Sequence, residues 1–348
     1  MMRWLVVLMA ASAQVLAGPG GLPVPSAGAP DLDCAADAAV PDEYFGLHLH
    51  RFHDRRLVPR ERFGTWRLWD SGTTWRHLEP QRERYDPRRL DLALQVARRL
   101  GVRAGFVLGS TPQWAARRPD LPAFMGQGSS SEPDDLADWD RHVAWVARRY
   151  AGRFEFYEIW NEPNSSGYFA GSPERMVEMA KRAGRIIRRA DPGVPVLTPS
   201  SSSRSGLEWL RRYAAAGGLA HADILGYHFY TDPDRPEELL DLFHDVQAVV
   251  REYRPGMPIW NTESGSLARA GNTGEHQRVS PAAHLIRSMA LGWCLGIERF
   301  YYYDYDSVQR GLVSPNDFEP TATMAGWRAA WRWLRGAQLQ RCSRSIQE

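Results

Sequence analysis

The sequence is nearly without lysine and poor in cysteine, and after its first residues it contains no long apolar run. Each scarcity excludes something. Lys181 is the only lysine, so arginine supplies almost all of the cationic charge, yet the arginines sit mainly in helical runs such as Arg98-Arg99 and Arg188-Arg189 and the net charge is only +2. That pattern describes a solvated helix surface, not a phosphate-binding stripe, and it disfavours nucleic-acid binding. The three cysteines, Cys34, Cys294 and Cys342, include no CxxC pair of the kind that holds a structural metal. In an oxidising compartment an odd count leaves one thiol over. Because Cys34 and Cys342 flank the bulk of the chain, the expectation is a bridge between them with Cys294 buried in a helix; three free thiols is the alternative. No GxGxxG follows the first strand-like run, which removes the main support for a dinucleotide fold.

What remains is a chain of 348 residues, 43% apolar and 24% charged, enough for one large core. Residues 1–17 give Arg3, an apolar run too short to span a bilayer and small residues for cleavage, and so read as a secretory signal that sends the protein to the periplasm or the exterior. Residues 18–40 read as a Pro/Gly-rich tether, 41–336 as one folded domain and 337–348 as a C-terminal tail. Oligomeric state is not readable, and no cofactor or metal is implied.

Within the domain, eight strand-like runs alternate with helical ones: 44–50, 65–70, 102–109, 154–160, 194–199, 222–230, 257–263 and 298–305. The helices show apolar stripes at three- and four-residue spacing, such as Leu136, Trp139, Val143 and Val146. Ser172-Pro173 and Ser280-Pro281 are helix starts, and Gly101 is a helix stop. Only the helix between the first two strands looks short or missing. Eight such alternations predict an α/β fold, a (β/α)8 TIM barrel in a single domain without an obvious accessory β-sandwich.

In such a barrel, chemistry sits at the C-terminal ends of the strands. Those ends carry His48 and His50, Arg67 with Trp69 and Asp70, Trp114, Asn161 and Glu162, Ser200 to Ser203, His228 and Tyr230, Asn261 and Glu263, and finally Tyr303, Asp304 and Asp306. Glu162 and Glu263 end the fourth and seventh strands, so they face each other across the mouth. Two carboxyls placed so can flank a glycosidic bond, one protonating the leaving oxygen and the other attacking the anomeric carbon. Arg67 and Tyr230 would hold Glu263 ionised, while Trp160 and loop aromatics would keep Glu162 protonated. Trp69, Trp114, Tyr168 and Phe169 are candidate stacking faces for sugar rings, or core packing. Glu158 reads as the partner of a barrel-interior cation.

The motifs WNEP at the fourth strand, HFY at the sixth and TESG at the seventh resemble the clan A retaining glycoside hydrolases. WRLWDSGTTWRHLEP, YDPRRLDLALQVARRLGV and STPQWAA resemble the family 39 branch and related bacterial exopolysaccharide endoglycosidases, over roughly residues 42 to 336. The resemblance implies Glu162 as general acid/base, Glu263 as nucleophile, Asn161 against the hydroxyl beside the anomeric carbon, and Arg67, His228 and Tyr230 around the site. Relatives of that branch usually carry β-sandwich elements beside the barrel, whereas this sequence stops soon after its last helix; the expectation is a bare barrel with an open groove, which suits endo cleavage of a polysaccharide. Two other readings stand beside this one: a metal-dependent amidohydrolase barrel built on His48 and His50, and a barrel that binds glycan without cutting it.

Overall fold

The computed structural model describes residues 32–35, 38–265, 279–308 and 310–342; the expected signal, most of the tether and the last six residues lie outside them. Nine short strands form one parallel sheet: β2 (Phe45–Leu47), β3 (Thr65–Leu68), β4 (Arg103–Val107), β5 (Tyr157–Glu158), β6 (Val196–Leu197), β7 (Ser201–Ser202), β8 (Leu225–His228), β9 (Ile259–Ser264) and β10 (Phe300–Tyr302). β6 and β7 are two pieces of one broken fifth strand. β6 pairs with β5 and β7 with β8, while single bridges Asn161–Ser200 and Leu197–Ile224 tie the segment to both neighbours. With β2 paired to β10, the ring closes as an eight-stranded barrel.

Helices α2 (Arg88–Leu100), α3 (Leu136–Arg149), α4 (Pro173–Ala190), α5 (Gly206–Ala215), α6 (Glu238–Tyr253), α7 (Pro281–Cys294) and α8 (Ala322–Leu334) surround it, and α1 (Trp75–Leu78) is a single turn after β3. The serines before proline act as anticipated: Ser172 Oγ accepts from Arg175 N at 3.2 Å and Ser280 Oγ from Ala283 N at 3.2 Å. Gly101 closes α2 in the left-handed region. Between β2 and β3 the chain forms only a 3-10 turn, Arg55–Leu57, which is the missing helix of the sequence pattern.

Alternation along the strands divides the residues. Phe45, Leu47, Trp66, Leu68 and Phe106 face the helices and join the main apolar core, whereas Phe156, Leu197, Ile224, Trp260 and Tyr301 fill the lower barrel. Two of the large rings need space from the strands next to them. A Cβ on Gly105 would lie 2.0 Å from the Phe156 ring and one on Gly46 2.4 Å from Tyr301, so only glycine fits at either point. Above this apolar floor lies a buried ion pair. Arg67 donates from Nε and Nη2 to the two oxygens of Glu158, both at 2.7 Å, with each side chain wholly buried.

The ends of the chain depart from the sequence reading. Leu32–Asp33 (β1) pairs antiparallel with Arg341–Cys342 (β11), so residues assigned to the tether and the tail make a small second sheet. Cys34 is bonded to Cys294 and not to Cys342. Helix α7 ends where the N-terminal segment crosses, and Ala35 N donates to Cys294 O at 2.8 Å, which puts the helical cysteine nearer than the flanking one. The Cys342 sulfur lies 4.0 Å from that of Cys34, and its thiol is pushed up to about 11 by burial.

Two outcomes follow. Arg67→Met leaves Glu158 as an uncompensated buried charge and should cost about 3–5 kcal/mol in a denaturant titration, with much of the loss recovered in Arg67→Met/Glu158→Leu. A non-reducing peptide map should contain Cys34 linked to Cys294, with Cys342 alkylated once the protein is unfolded.

Candidate active site

Neither Glu162 nor Glu263 reaches the barrel mouth through regular strand geometry: β5 ends at Glu158, and Trp160 beyond it already packs outward against Trp139, while β9 changes register before Glu263. On β9, Trp260 packs in the lower barrel and the inward Thr262 donates to Ser200 Oγ at 2.8 Å, so the next residue should point outward. The pairing with β8 shifts register here: Tyr227 lies opposite Asn261, but His228 lies opposite Glu263. The bulge turns Glu263 inward. On the other side, Glu162 has a φ of 42°, a left-handed conformation unfavourable for a residue with a side chain. Its backbone is held by Glu162 N donating to Ser200 O at 2.9 Å, and by Ser165 N donating to Glu162 O at 2.9 Å.

Arg67 joins the interior pair to the mouth. Its Nη1 donates to Glu263 Oε2 at 2.9 Å and its Nη2 to Asn161 Oδ1 at 2.8 Å. Tyr230 donates its hydroxyl to Glu263 Oε1 at 2.7 Å, and His228 Nδ1 is 2.9 Å from Glu162 Oε1. Single atoms of Glu162, His228 and Glu263 all lie within 4.8 Å of one another.

Burial pushes both glutamic acids above the ordinary carboxyl range, and the charge of Glu162 raises Glu263 further; Arg67 opposes the rise at both, and the Ser202 hydroxyl and Arg310 oppose it at Glu162. His228 is driven down to about 4, first by burial, so its ring is neutral near pH 7. The donors are unequal. Glu263 receives a guanidinium and a phenol, whereas Glu162 faces a neutral imidazole; one proton shared by the pair therefore rests on Glu162. A proton on His228 Nδ1 lets the ring donate to Glu162 Oε1 and leaves Nε2, which has no partner, as a bare lone pair.

These groups border a cavity of about 640 Å³ lined by Trp69, Tyr168, Tyr230, Glu162 and Glu263 on one part and by His50, Asp70, Tyr303, Asp304 and Arg310 on another. Tyr303 donates to Asp70 Oδ2 at 2.6 Å. Asp304 is buried, pushed up to about 6 by desolvation with His50 opposing, and its oxygens make no hydrogen bond of ordinary geometry. His50 Nδ1 stands 3.5 Å from it. Such a wall offers unmet acceptors to a hydroxyl-rich ligand.

The expected residues do not all meet the cavity. Glu162, Glu263, Tyr230 and Trp69 line it; Arg67 and His228 are buried behind the two glutamates and reach the site through them, and Asn161 is buried against Arg67. Trp114 must be corrected: its indole donates to Glu79 O at 2.8 Å and its ring meets Trp75 edge-on at 6.1 Å, so it braces α1. Phe169 is likewise core, 5.3 Å from the Trp160 ring. His48 is also not a cavity residue; it is buried with Nε2 3.3 Å from Thr262 O, and it does not share a ligand cluster with His50, which faces Asp70, Asp304 and Asp306. Arg310 was not anticipated. It follows the last strand in a segment with no periodic signal, and its only hint is position after YDYDS.

Residues 58–293 match Glycosyl hydrolases family 39. A beta-xylosidase of Caldicellulosiruptor saccharolyticus is 23% identical over 193 residues, a match that covers 50% of this chain and 39% of that protein. The GH39 enzyme from Xanthomonas axonopodis pv. citri superposes with a TM-score of 0.69 at 18% identity, over 89% of this chain and 70% of that one. A monomeric beta-xylosidase from Caulobacter crescentus CB15 gives 0.65 at 17% identity, over 87% and 70%. These superpositions carry the barrel fold, and the family match spans more than half of the sequence: the chain belongs to the glycosyl hydrolases of family 39.

Proposed function

We propose that this chain hydrolyses O-glycosidic bonds within a β-linked polysaccharide, of which xylan and bacterial exopolysaccharide are the leading classes, with retention of anomeric configuration. The observation that carries the reading is the approach of Glu162 and Glu263 to within 4.8 Å, oxygen to oxygen, at one barrel mouth. A retaining pair stands roughly 5–5.5 Å apart, while an inverting pair needs about 6.5–9.5 Å to admit a water. The cavity of about 640 Å³ suits a ligand of several rings, which supports attack inside a chain over trimming of its end. The two xylosidase-named relatives make xylan the first polymer to test. The N-terminal apolar segment supports export to the periplasm or beyond.

In the first step a Glu263 oxygen bonds to the anomeric carbon as the bond to the leaving oxygen breaks, and the Glu162 proton passes to that oxygen. Arg67 and Tyr230 keep Glu263 ionised and aimed until it attacks. In the second step Glu162, now a carboxylate, takes a proton from water while the water oxygen displaces Glu263. His228 serves both steps, since an Nδ1–H donor fixes Glu162 Oε1 and leaves the second oxygen to carry the proton.

Reducing-end release from xylans, mannans and exopolysaccharides tests the reading directly. One polymer should be cut by the wild-type protein and by neither Glu162→Gln nor Glu263→Gln; wild-type activity retained in both variants would refute the assignment. With activated aryl glycosides and azide the variants should part company. Glu263→Ala should yield the inverted glycosyl azide and Glu162→Ala the retained one, because azide replaces the nucleophile in the first case and attacks the glycosyl-enzyme in the second. Loss of the general acid should lower kcat/KM on unactivated substrates by about 10²–10⁴-fold.

The pH profile has a definite sign. Burial raises the Glu162 pKa, so its acid form persists above the ordinary glutamate range and activity is lost as pH rises through that raised value. The basic limb of kcat/KM should therefore lie above the ordinary range, and it should flatten in Glu162→Gln assayed on a dinitrophenyl glycoside, which needs no acid to leave.

A further inference from the structure

Phe124 is 69% exposed, the most exposed large apolar side chain among the described residues. Its setting is nonetheless rigid. Phe124 N donates to Gly167 O at 3.2 Å, Gly128 N to Leu121 O at 2.8 Å, and the Arg76 guanidinium to the neighbouring Met125 carbonyl. The ring lies against the Gly167 backbone so closely that a Cβ there would be 2.3 Å from it. Its edge meets Tyr168 with ring centres 5.0 Å apart, and Tyr168 in turn meets Trp69 at 6.0 Å. Tyr168 is itself fastened, since its carbonyl accepts from Trp160 Nε1 at 3.0 Å and its N–H donates to Ser165 O at 2.9 Å. Trp69 and Tyr168 line the cavity. An apolar path therefore runs from the cavity through Tyr168 to an exposed ring held in place at the rim.

Chemistry gives that path a direction. Tyr168 stands on the loop that starts at Glu162, which in the proposed reaction protonates the leaving oxygen, and that connection points the path toward the departing sugar. Sugar rings present apolar C–H faces, and a fixed aromatic face binds them at little entropic cost. We propose that Tyr168 and Phe124 form a platform for the leaving-group side of the substrate, engaging sugar units beyond the first one released, and that the substrate is thus a chain extending past the scissile bond in that direction. The inference rests on the hydrolytic reading of Glu162 and Glu263.

Xylohexaose and 4-nitrophenyl β-xyloside, compared on the wild-type protein, Phe124→Ala and Phe124→Trp, separate the possibilities. The aryl xyloside has no sugar on the leaving side. The platform requires that the ratio of kcat/KM for xylohexaose to that for the aryl xyloside fall roughly 3- to 10-fold in Phe124→Ala and be kept in Phe124→Trp. A second readout is transfer to added xylobiose, in which the xylosyl–Glu263 ester breaks, the acceptor hydroxyl oxygen bonds to the anomeric carbon and its proton goes to Glu162. Phe124→Ala should shift this partition toward water. An unchanged ratio, or an equal loss on both substrates, overturns the platform while leaving the hydrolase intact. Cleavage of neither substrate by the wild-type protein overturns the xylan-directed reading and the platform with it.

Discussion

Arg67 is the point on which the rest of this structure depends. A guanidinium with no exposure must be matched in charge and in hydrogen bonds, or the fold loses several kcal/mol at its centre. Four of its donor contacts reach Glu158, Asn161 and Glu263, so one side chain answers to both the barrel interior and the reacting end. Glu158 anchors the cation from below, and the cation aims Glu263 from above. The orientation of Glu263 is thus supported by the same pair that the packing of the barrel requires.

The two glutamates reach the mouth through local departures from ideal strand geometry. Glu263 is turned by a bulge in β9 and Glu162 by a left-handed φ of 42°. Each departure removes something that regular structure would supply, a ladder pair in one case and a relaxed backbone in the other, at a cost of about 1–3 kcal/mol for a strained residue. Neighbouring bonds hold them: Ser200 accepts from Glu162 N, and Thr262 ties the bulged strand to Ser200 Oγ. The broken fifth strand, lying between β5 and β8, is what puts Ser200 within reach of both.

Residues whose environment is set by chain-local rules were legible in advance. Ser172-Pro173 starts a helix because a hydroxyl caps it and proline needs no N–H there, and WNEP and TESG carry their carboxyls at strand ends by position alone. Trp114, Phe169 and His48 were harder. An aromatic or a histidine near a strand end looks the same in sequence whether it meets a cavity or a helix, and what decided these three was the proximity of Trp75, Trp160 and Thr262. The cysteines failed for a related reason: spacing along the chain ranks Cys34 with Cys342, but the end of α7 lies beside Cys34 in space.

The sequence by itself determined the alternation of strands and helices, the barrel that this alternation closes into, and the identity of the two carboxyls at its mouth, because periodicity and motif position are properties of neighbouring residues. Only the tertiary structure decided that the carboxyls approach within 4.8 Å, that one guanidinium serves both Glu158 and Glu263, and that Tyr168 and Phe124 continue the cavity outward. Those relations join segments as many as 196 residues apart, and closure of the ring is the constraint that brings them together.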